Sequence, residues 1–197
     1  MSVIFRTGHP PGRAIFLTWR LAGTLPQALL ASLKNSTAPA NRKFALADRV
    51  LDCAACGPRW LAHPEVAATV RRSILKGAYE LQQYRLLAYV VMPNHVHVLI
   101  EPVVPLERIT RGIKGTTAHL ANRILSRKRA VFWQDESFDH WIRTPAEAEK
   151  IRRYIENNPA KAALVKAPSD WPWSSAASLV AQALLPVPVK NSKGTTT

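Results

Sequence analysis

The sequence predicts an α+β fold, a ferredoxin-like βαββαβ sandwich with an antiparallel sheet, followed by a C-terminal helix and extension. A tight hairpin is the first sign: β-branched-rich runs at Arg85 to Met92 and His95 to Ile100 flank the turn pair Pro93-Asn94. Helical periodicity on both sides of this hairpin is the second sign. The third is a capping box with an early proline, "TPAE", which starts a last helix at Thr144.

The other elements follow from local patterns. A strand is predicted from Ala14 to about Arg20, after a proline- and glycine-containing leader. Leu25 to Lys34 is typical of a helix, and the loop "NSTAPAN" separates it from a short element at Lys43 to Asp52. A further helix runs from His63 to about Gly77, with an apolar face made by valines and an isoleucine.

A long helix follows the hairpin, because one face carries an apolar stripe: Leu106, Ile109, Ile113, Leu120 and Ile124. The run "AVFWQ" predicts a fourth strand. The last helix is expected to end near Asn158, because Pro159 disfavours helical backbone in the residue before it.

We predict a single domain at 14–180 that is large enough to bury a core and carry a catalytic site. A flexible leader at 1–13 is expected before it, and a disordered tail at 181–197 after it. "WPWSSAASLVAQALL" is expected to be a packed extension within it. No window approaches the roughly 20 apolar residues that span a bilayer, and the start of the chain lacks the layout of a signal peptide. We therefore expect a cytoplasmic protein.

The charge of the chain points to a polyanionic partner. Its 27 Lys and Arg against 13 Asp and Glu give a net charge of +14 and a pI near 10.5. Nucleic acid is the first partner to consider, and a merely soluble basic surface is the alternative.

The two cysteines, Cys53 and Cys56, form a CxxC pair. So few cysteines argue against a disulfide scaffold and for a reducing compartment. No second CxxC completes a zinc site and no βαβ pattern surrounds the pair, so we expect a small apolar packing element. A zinc site that includes His63 is the remaining alternative.

Two histidines interrupt the apolar hairpin. His95 and His97 point to the same face of their strand, about 7 Å apart at Cα, and could bind one metal ion. Hydrogen-bonded core histidines are the alternative.

Tyr154 and Asn158, four residues apart on the last helix, share a face and offer a phenolic nucleophile and a carbonyl oxygen. Hard divalent cations accept a mixed set of imidazole and oxygen ligands. The alternative for Tyr154 is core packing, which is common for tyrosines on amphipathic helices.

Four blocks of sequence, in this order, resemble the REP-associated tyrosine transposases, the single-domain branch of the HUH (IS200-like) transposases: "AYVVMPNHVHVLI", "KGTTAHLANRIL", "FWQDESFDHWIR" and "YIENNPAKAALV". The resemblance runs from about Ala14 to Ser175, and the segment 25–60 matches only loosely. It implies a metal-dependent enzyme of the bacterial nucleoid that cleaves and rejoins single-stranded DNA beside palindromic hairpins. Carried over by position, His95 and His97 are the HUH pair, Tyr154 is the nucleophile and Asn158 the third metal ligand. The family more often has glycine where this chain has Ala163.

This resemblance implies further expectations. The cofactor is expected to be Mg²⁺ or Mn²⁺, and the partner single-stranded or hairpin DNA, with a monomer and a homodimer both open. We expect the phosphate backbone to contact a set of basic residues: Lys114, Arg123, Arg152 and Arg153. Lys150 could help to activate Tyr154, or it could be a solvated surface lysine.

Other side chains leave alternatives open. Trp133, Phe138 and Trp141 could stack on unpaired bases or belong to the core. Asp135, Glu136 and Asp139 could form a second metal site, but an acidic cluster repels DNA, and Asp139-His140 is better explained as support for the first site. A non-catalytic binder of structured nucleic acid and a hydrolase of small phosphate esters are the competing functions. The high charge and the absence of a Gly-rich phosphate loop disfavour the hydrolase.

Overall fold

The structure is a computed structural model that describes residues 12–53, 57–128 and 130–177 of the chain. Within them, four strands form one antiparallel sheet in the order β2-β3-β1-β4. The strands are β1 (Ile15–Leu21), β2 (Tyr84–Val91), β3 (His95–Pro102) and β4 (Trp133–Trp141). The helices are α1 (Gln27–Asn35), α2 (Ala40–Cys53), α3 (Pro64–Tyr79), α4 (Leu106–Ile124) and α5 (Pro145–Lys161). This order confirms the predicted βαββαβ fold with a C-terminal helix.

The predicted leader at 1–13 lies outside the described residues except for Gly12 and Arg13, and the predicted tail at 181–197 lies wholly outside them. Among the described residues, no helix is long and apolar enough to cross a membrane.

The sheet separates two layers of helices, because side chains alternate along each strand. On one face Ile15, Leu17 and Trp19 of β1 pack with apolar side chains of α3 and α4. On the other face Phe16 of β1 and Leu99 of β3 pack against α5 through Ile155. His95 and His97 share the register of Leu99 along β3, so they also lie on the α5 face.

Helix α2 is an additional element on the α5 face of the sheet. Its Phe44 stacks on Phe138 of β4, with ring centroids 4.0 Å apart. Only two of its side chains are buried, Asp48 and Leu51. The helix therefore rests on the sheet through one narrow face, and that face includes a carboxylate.

Strand β4 differs from the prediction. The strand begins at Trp133 and extends to Trp141, whereas "AVFWQ" predicted pairing from residue 130 to 134. The acidic residues after Gln134 are poor strand formers by propensity. However, β4 is an edge strand, where charged side chains face water and are tolerated. It pairs with β1 up to Ile15 opposite Trp141.

Helix α5 also extends beyond its predicted end. It continues through Pro159 to Lys161, so the expectation that it stops near Asn158 is wrong. The proline stands in the last turn, where it removes only one backbone hydrogen bond. The end of the helix is a Schellman motif, in which Leu164 N–H donates to Pro159 O at 2.9 Å and Ala163 N–H donates to Ala160 O at 3.0 Å.

Ala163 occupies the position of this motif that usually holds glycine. Its φ of 55° is left-handed, which costs an L-residue about 1–2 kcal/mol. We therefore expect Ala163→Gly to raise the free energy of unfolding by about 0.5–1 kcal/mol, after the entropy cost of glycine is subtracted. Urea denaturation measures this change.

The control for that change is Ala162→Gly. Ala162 has a φ of −80°, so glycine relieves no strain there and removes a methyl group that packs against the core. Stability should fall by about 0.5–1 kcal/mol. Equal effects of the two substitutions would contradict the strain at Ala163.

The predicted packed extension is present as far as it is described. Trp171 Nε1 donates to Val91 O at 3.0 Å, and Val91 N–H donates to Trp173 O at 2.8 Å, which covers the end of the β2 edge. Cys53 is exposed, so the prediction that it packs in an apolar element is wrong. Its predicted partner Cys56 lies outside the described residues. His63 is an exposed residue that precedes α3.

Candidate active site

The two histidines of β3 point at each other beneath α2 and α5. Both residues are 0% exposed, and their Nε2 atoms lie 3.0 Å apart. Residues 95 and 97 converge in this way because they stand on one face of a strand, opposite Arg20 and Thr18 of β1. Two ring nitrogens therefore face one small volume.

Neighbouring side chains fix the orientation of both rings. His95 Nδ1 lies 2.6 Å from Asn94 Oδ1, and Asn94 Nδ2 in turn donates to Leu51 O at 3.0 Å. Since Asn94 presents its oxygen, His95 Nδ1 donates to it, and Nε2 is left as the acceptor nitrogen that faces His97. Thr18 Oγ1 holds His97 Nδ1 at 2.7 Å. Metal-binding histidines are characteristically held through the second ring nitrogen in this way.

His95 is held in its neutral form. Burial lowers the pKa of His95 well below its usual value, and the neighbouring His97 lowers it further, while Asp48 acts in the opposite direction. A neutral imidazole is the form that binds a metal ion. Burial of His95 is therefore consistent with a metal ligand as well as with a core histidine.

Asp48 of α2 is the third member of this cluster. Its Oδ1 lies 3.2 Å from His97 Nε2, and its Oδ2 accepts a hydrogen bond from the Tyr154 hydroxyl. Burial would raise the pKa of Asp48, but contacts with His97, His95 and Tyr154 outweigh burial and lower it to about 2. The carboxylate is therefore ionised, although it is only 3% exposed.

The sequence interpretation missed Asp48, yet a signal was present. Phe44, Asp48 and Leu51 are spaced four and three residues apart, so they form one stripe of the helix. A carboxylate within an otherwise apolar stripe is expensive to bury unless it has a partner. That pattern predicts a partner, although it does not identify which one.

Tyr154 reaches the histidines of its own chain from α5. Its ring centroid lies 5.7 Å from that of His97 and 6.1 Å from that of Phe16. Burial raises the pKa of Tyr154 well above its usual value, and the negative charge of Asp48 raises it further, while Asn158 lowers it. In this arrangement the hydroxyl is protonated and serves as a hydrogen-bond donor.

Asn158 lies one helical turn after Tyr154, as the spacing predicted. It is 0% exposed, and neither its amide nitrogen nor its amide oxygen has a hydrogen-bond partner of good geometry among the described residues. Buried carboxamides nearly always have such a partner. A buried carboxamide oxygen without such a partner, one turn from Tyr154 on α5, is suited to bind a cation.

A second carboxylate flanks the site. Asp52, one turn after Asp48, accepts from Lys161 Nζ at 2.7 Å, and its Oδ1 lies 3.9 Å from His95 Nε2. Burial raises the pKa of Asp52, against the effect of Lys161. This ion pair ties α2 to the end of α5.

The donor set is consistent with a divalent cation. Ligand atoms of Asp48, His95 and His97 all lie within 4.8 Å of one another. Imidazole nitrogens together with carboxylate and carboxamide oxygens suit Mn²⁺ and similar ions, and the oxygens suit Mg²⁺. Among the described residues this is the one such group, and the acidic run Asp135, Glu136 and Asp139 does not form another.

The residues predicted to contact DNA do not converge on the site. Lys114 Nζ donates to the backbone oxygens of Gln134 at 2.7 Å and Asp135 at 2.9 Å. Arg152 pairs with Glu149 at 2.8 Å and also with Glu156, and Arg153 pairs with Glu149 at 2.7 Å. Arg123 lines a basic cavity at the end of α4, with His119, Arg127 and Lys128 among its neighbours.

The remaining predicted side chains have structural roles. Trp133 is 4% exposed and donates to Thr117 Oγ1 at 2.9 Å, and Phe138 stacks on Phe44, so both belong to packed clusters. Trp141 packs against the main core. His140 Nε2 lies 2.8 Å from Glu147 Oε1 at the start of α5, so the prediction that it supports the histidine site is wrong. Lys150 is exposed.

Comparisons with known proteins find a matching family model and a solved structure of similar fold. The family model "Transposase IS200 like" matches residues 61–158, which include His95, His97, Tyr154 and Asn158 but not Asp48. A solved structure of a REP-associated tyrosine transposase bound to a REP hairpin is 23% identical, with a TM-score of 0.58, and the match covers 92% of this chain and 87% of that one. At this identity the likeness shows the shared fold.

A second solved structure, described as a transposase from Deinococcus radiodurans R1, is 16% identical, with coverage of 78% of this chain and 98% of that one. Its TM-score of 0.35 is too low to support an argument. A search of curated proteins finds no match. The matched segment contains the histidine pair, the tyrosine and the asparagine that the fold brings together, and residues 61–158 of the chain therefore match the IS200-like transposase family.

Proposed function

We propose that this protein is a single-stranded DNA transesterase, which cleaves and rejoins DNA next to palindromic hairpins through a 5′-phosphotyrosine at Tyr154. One observation carries the proposal: the Tyr154 hydroxyl and His97 Nε2 contact the two oxygens of one carboxylate, that of Asp48. A nucleophile is thereby held beside two buried imidazoles that are oriented to bind a cation. The match of residues 61–158 to a transposase family agrees with a DNA-cleaving enzyme.

The covalent step exchanges one ester for another. Tyr154 Oη attacks the scissile phosphorus in line, so the Oη–P bond forms as the P–O3′ bond breaks. The tyrosine loses its proton and the departing 3′ oxygen gains one, which leaves a free 3′-OH and a 5′ end linked to the enzyme. Attack of a 3′-OH on the phosphotyrosine reverses the exchange and joins strands without ATP.

The chain's residues divide the other tasks. His95, His97 and Asn158 are proposed to hold Mg²⁺ or Mn²⁺, which when bound would supply Lewis-acid polarisation of the scissile phosphate. Asn94 and Thr18 hold the two imidazole rings in position. α5 carries both Tyr154 and Asn158, so the nucleophile and a ligand move as one rigid unit.

The proposed partner is hairpin DNA with an unpaired flank. The protein of similar fold is bound to a REP hairpin, and this chain carries a net charge of +14. Lys114, Arg123, Arg152 and Arg153 remain the proposed phosphate contacts. For Arg152 and Arg153 this requires that DNA phosphates compete with Glu149 and Glu156 for the guanidinium groups.

The substrate preference is a direct test of this proposal. We expect a hairpin with a 5′ single-stranded flank to be cut best, an unstructured single strand poorly, and a blunt duplex to be bound but not cut. The reason is that a phosphate in a regular duplex cannot reach a tyrosine and two histidines that lie buried under α2 and α5. Cleavage rates of the three labelled DNAs at matched occupancy measure this order.

Salt dependence provides the control in the same assay. Binding of all three DNAs should weaken steeply as salt rises, because affinity comes mainly from counterion release. Cutting of perfect duplex at the rate of the hairpin would contradict a single-strand transesterase and favour an ordinary nuclease.

A further inference from the structure

Asp48 contacts both the histidine pair and the proposed nucleophile, Tyr154. Its Oδ1 lies 3.2 Å from His97 Nε2, while its Oδ2 accepts the hydrogen bond of Tyr154. It comes from α2, which lies outside the segment matched by the transposase family. Among the described residues of that segment, none supplies a carboxylate to the cluster of Asp48, His95 and His97.

Packing does not explain why residue 48 is an aspartate. Burying a carboxylate costs free energy unless charges or hydrogen-bond donors compensate it. An apolar residue at this position would instead continue the apolar stripe of Phe44 and Leu51. Oδ1 makes no hydrogen bond of good geometry among the described residues, although it faces His97 Nε2. The amide oxygen of Asn158 is likewise buried and unpartnered.

We propose that Asp48 is a further ligand of the catalytic divalent cation, and that its second oxygen positions the Tyr154 hydroxyl beside that cation. This inference rests on the proposed function and extends its ligand set. Two imidazoles, one carboxylate oxygen and one carboxamide oxygen give four protein ligands. A bound Mg²⁺ or Mn²⁺ would supply Lewis-acid polarisation of a phosphate next to these residues.

Charge supports the same assignment. Imidazole and carboxamide ligands bring no negative charge to a dication, whereas the Asp48 carboxylate brings one unit.

A different role for Asp48 predicts the opposite result. The carboxylate could stand in for the scissile phosphate, because it occupies the space between the nucleophile and an imidazole. In that case α2 would be an inhibitory cover, and removal of the charge would speed cleavage. The two roles are separable by experiment.

The test compares Asp48→Asn with Asp52→Asn in the full DNA-free chain, using Mn²⁺ as the probe. Both substitutions remove one negative charge from the same face of α2, but Asp52 pairs with Lys161 and is not in the ligand cluster. Mn²⁺ affinity is measured by titration calorimetry and by the EPR signal of free Mn²⁺. We expect Asp48→Asn to weaken binding at least about tenfold, since even residues behind the ligands change metal affinity by 10–100-fold. Asp52→Asn should weaken binding much less, because the charge of Asp52 is already paired with Lys161 and the residue lies outside the ligand cluster.

The outcomes separate the inference from the proposed function. Unchanged Mn²⁺ affinity in Asp48→Asn, together with loss of binding in His95→Ala/His97→Ala, would overturn the role of Asp48 and leave the histidine site intact. Unchanged affinity in both would overturn both. Faster cleavage of a hairpin substrate by Asp48→Asn would also overturn the ligand role, in favour of the inhibitory cover.

A second variant covers the case in which Asp48→Asn does not fold. Asp48→Glu keeps the charge and lengthens the side chain by one methylene, so it should still bind Mn²⁺, with weaker affinity and an altered EPR spectrum of the bound ion. A bound-ion spectrum and an affinity identical to those of the unmodified chain would contradict direct ligation by Asp48.

Discussion

The double substitution His95→Ala/His97→Ala is expected to abolish DNA cleavage and metal-linked stabilisation together. The Nε2 atoms of the two histidines lie 3.0 Å apart, so the pair acts as a single site. Cleavage should fall below about one-thousandth of the original rate, because electrostatic stabilisation of the transition state is lost. In the unmodified chain, Mn²⁺ at 100 times its Kd should raise the Tm by about 5–10 °C, and this increase should disappear.

The control for this substitution is His140→Ala. His140 is a half-exposed histidine that pairs with Glu147 at 2.8 Å and is not a member of the cluster of Asp48, His95 and His97. Its removal should leave both the Mn²⁺-dependent rise in Tm and cleavage unchanged. A double variant that is still stabilised by Mn²⁺ would show that the ion binds elsewhere.

Tyr154→Phe is expected to lose cleavage while keeping hairpin binding. Only a hydroxyl is removed, and affinity depends mainly on phosphate contacts, so the Kd should stay within about twofold. The cleavage rate should fall by at least about 10⁴-fold, because removal of a covalent nucleophile has effects of this size or larger. Gel-based cleavage and equilibrium binding on the same hairpin measure both quantities.

The matched control is Tyr79→Phe, which removes the hydroxyl of a tyrosine that is 69% exposed. It should cleave normally. Tyr154→Phe also leaves Asp48 without one hydrogen bond, so a loss of about 1 kcal/mol in stability is expected and does not explain a loss of cleavage. Residual cleavage above a trace by Tyr154→Phe would mean that another group is the nucleophile.

Much of the fold was predictable because it depends on local pattern. The hairpin of β2 and β3 follows from β-branched runs around Pro93-Asn94, and α4 follows from its apolar stripe. The same reasoning placed His95 and His97 on one face and Tyr154 one turn from Asn158. These predictions need only the periods of strands and helices.

The parts that were missed depend on contacts between distant segments. Asp48 meets Tyr154 across 106 residues of sequence, so no local pattern could pair them. The length of β4 depends on its place at the sheet edge, beside β1. The end of α5 depends on a Schellman motif that tolerates Pro159 in the last turn.

The DNA-contact predictions show a different limit. The sequence showed that Arg152 and Arg153 are basic, but it did not show that Glu149 lies within 2.8 Å and 2.7 Å of them. Charge counts give the total attraction to a polyanion. They do not show which guanidinium groups are already paired within the fold.

The covalent intermediate provides the most direct test of the proposed function. The full chain is incubated with Mn²⁺ and a labelled hairpin that carries a single-stranded flank, denatured, and digested with trypsin. Trypsin cuts after Arg153 and after Lys161, which releases the peptide "YIENNPAK". Tyr154 is the single tyrosine of this peptide. We predict that mass spectrometry finds this peptide joined through a 5′ phosphate to the downstream DNA. DNA attached to a different peptide, or cleavage that proceeds without any attached DNA, would contradict the proposal.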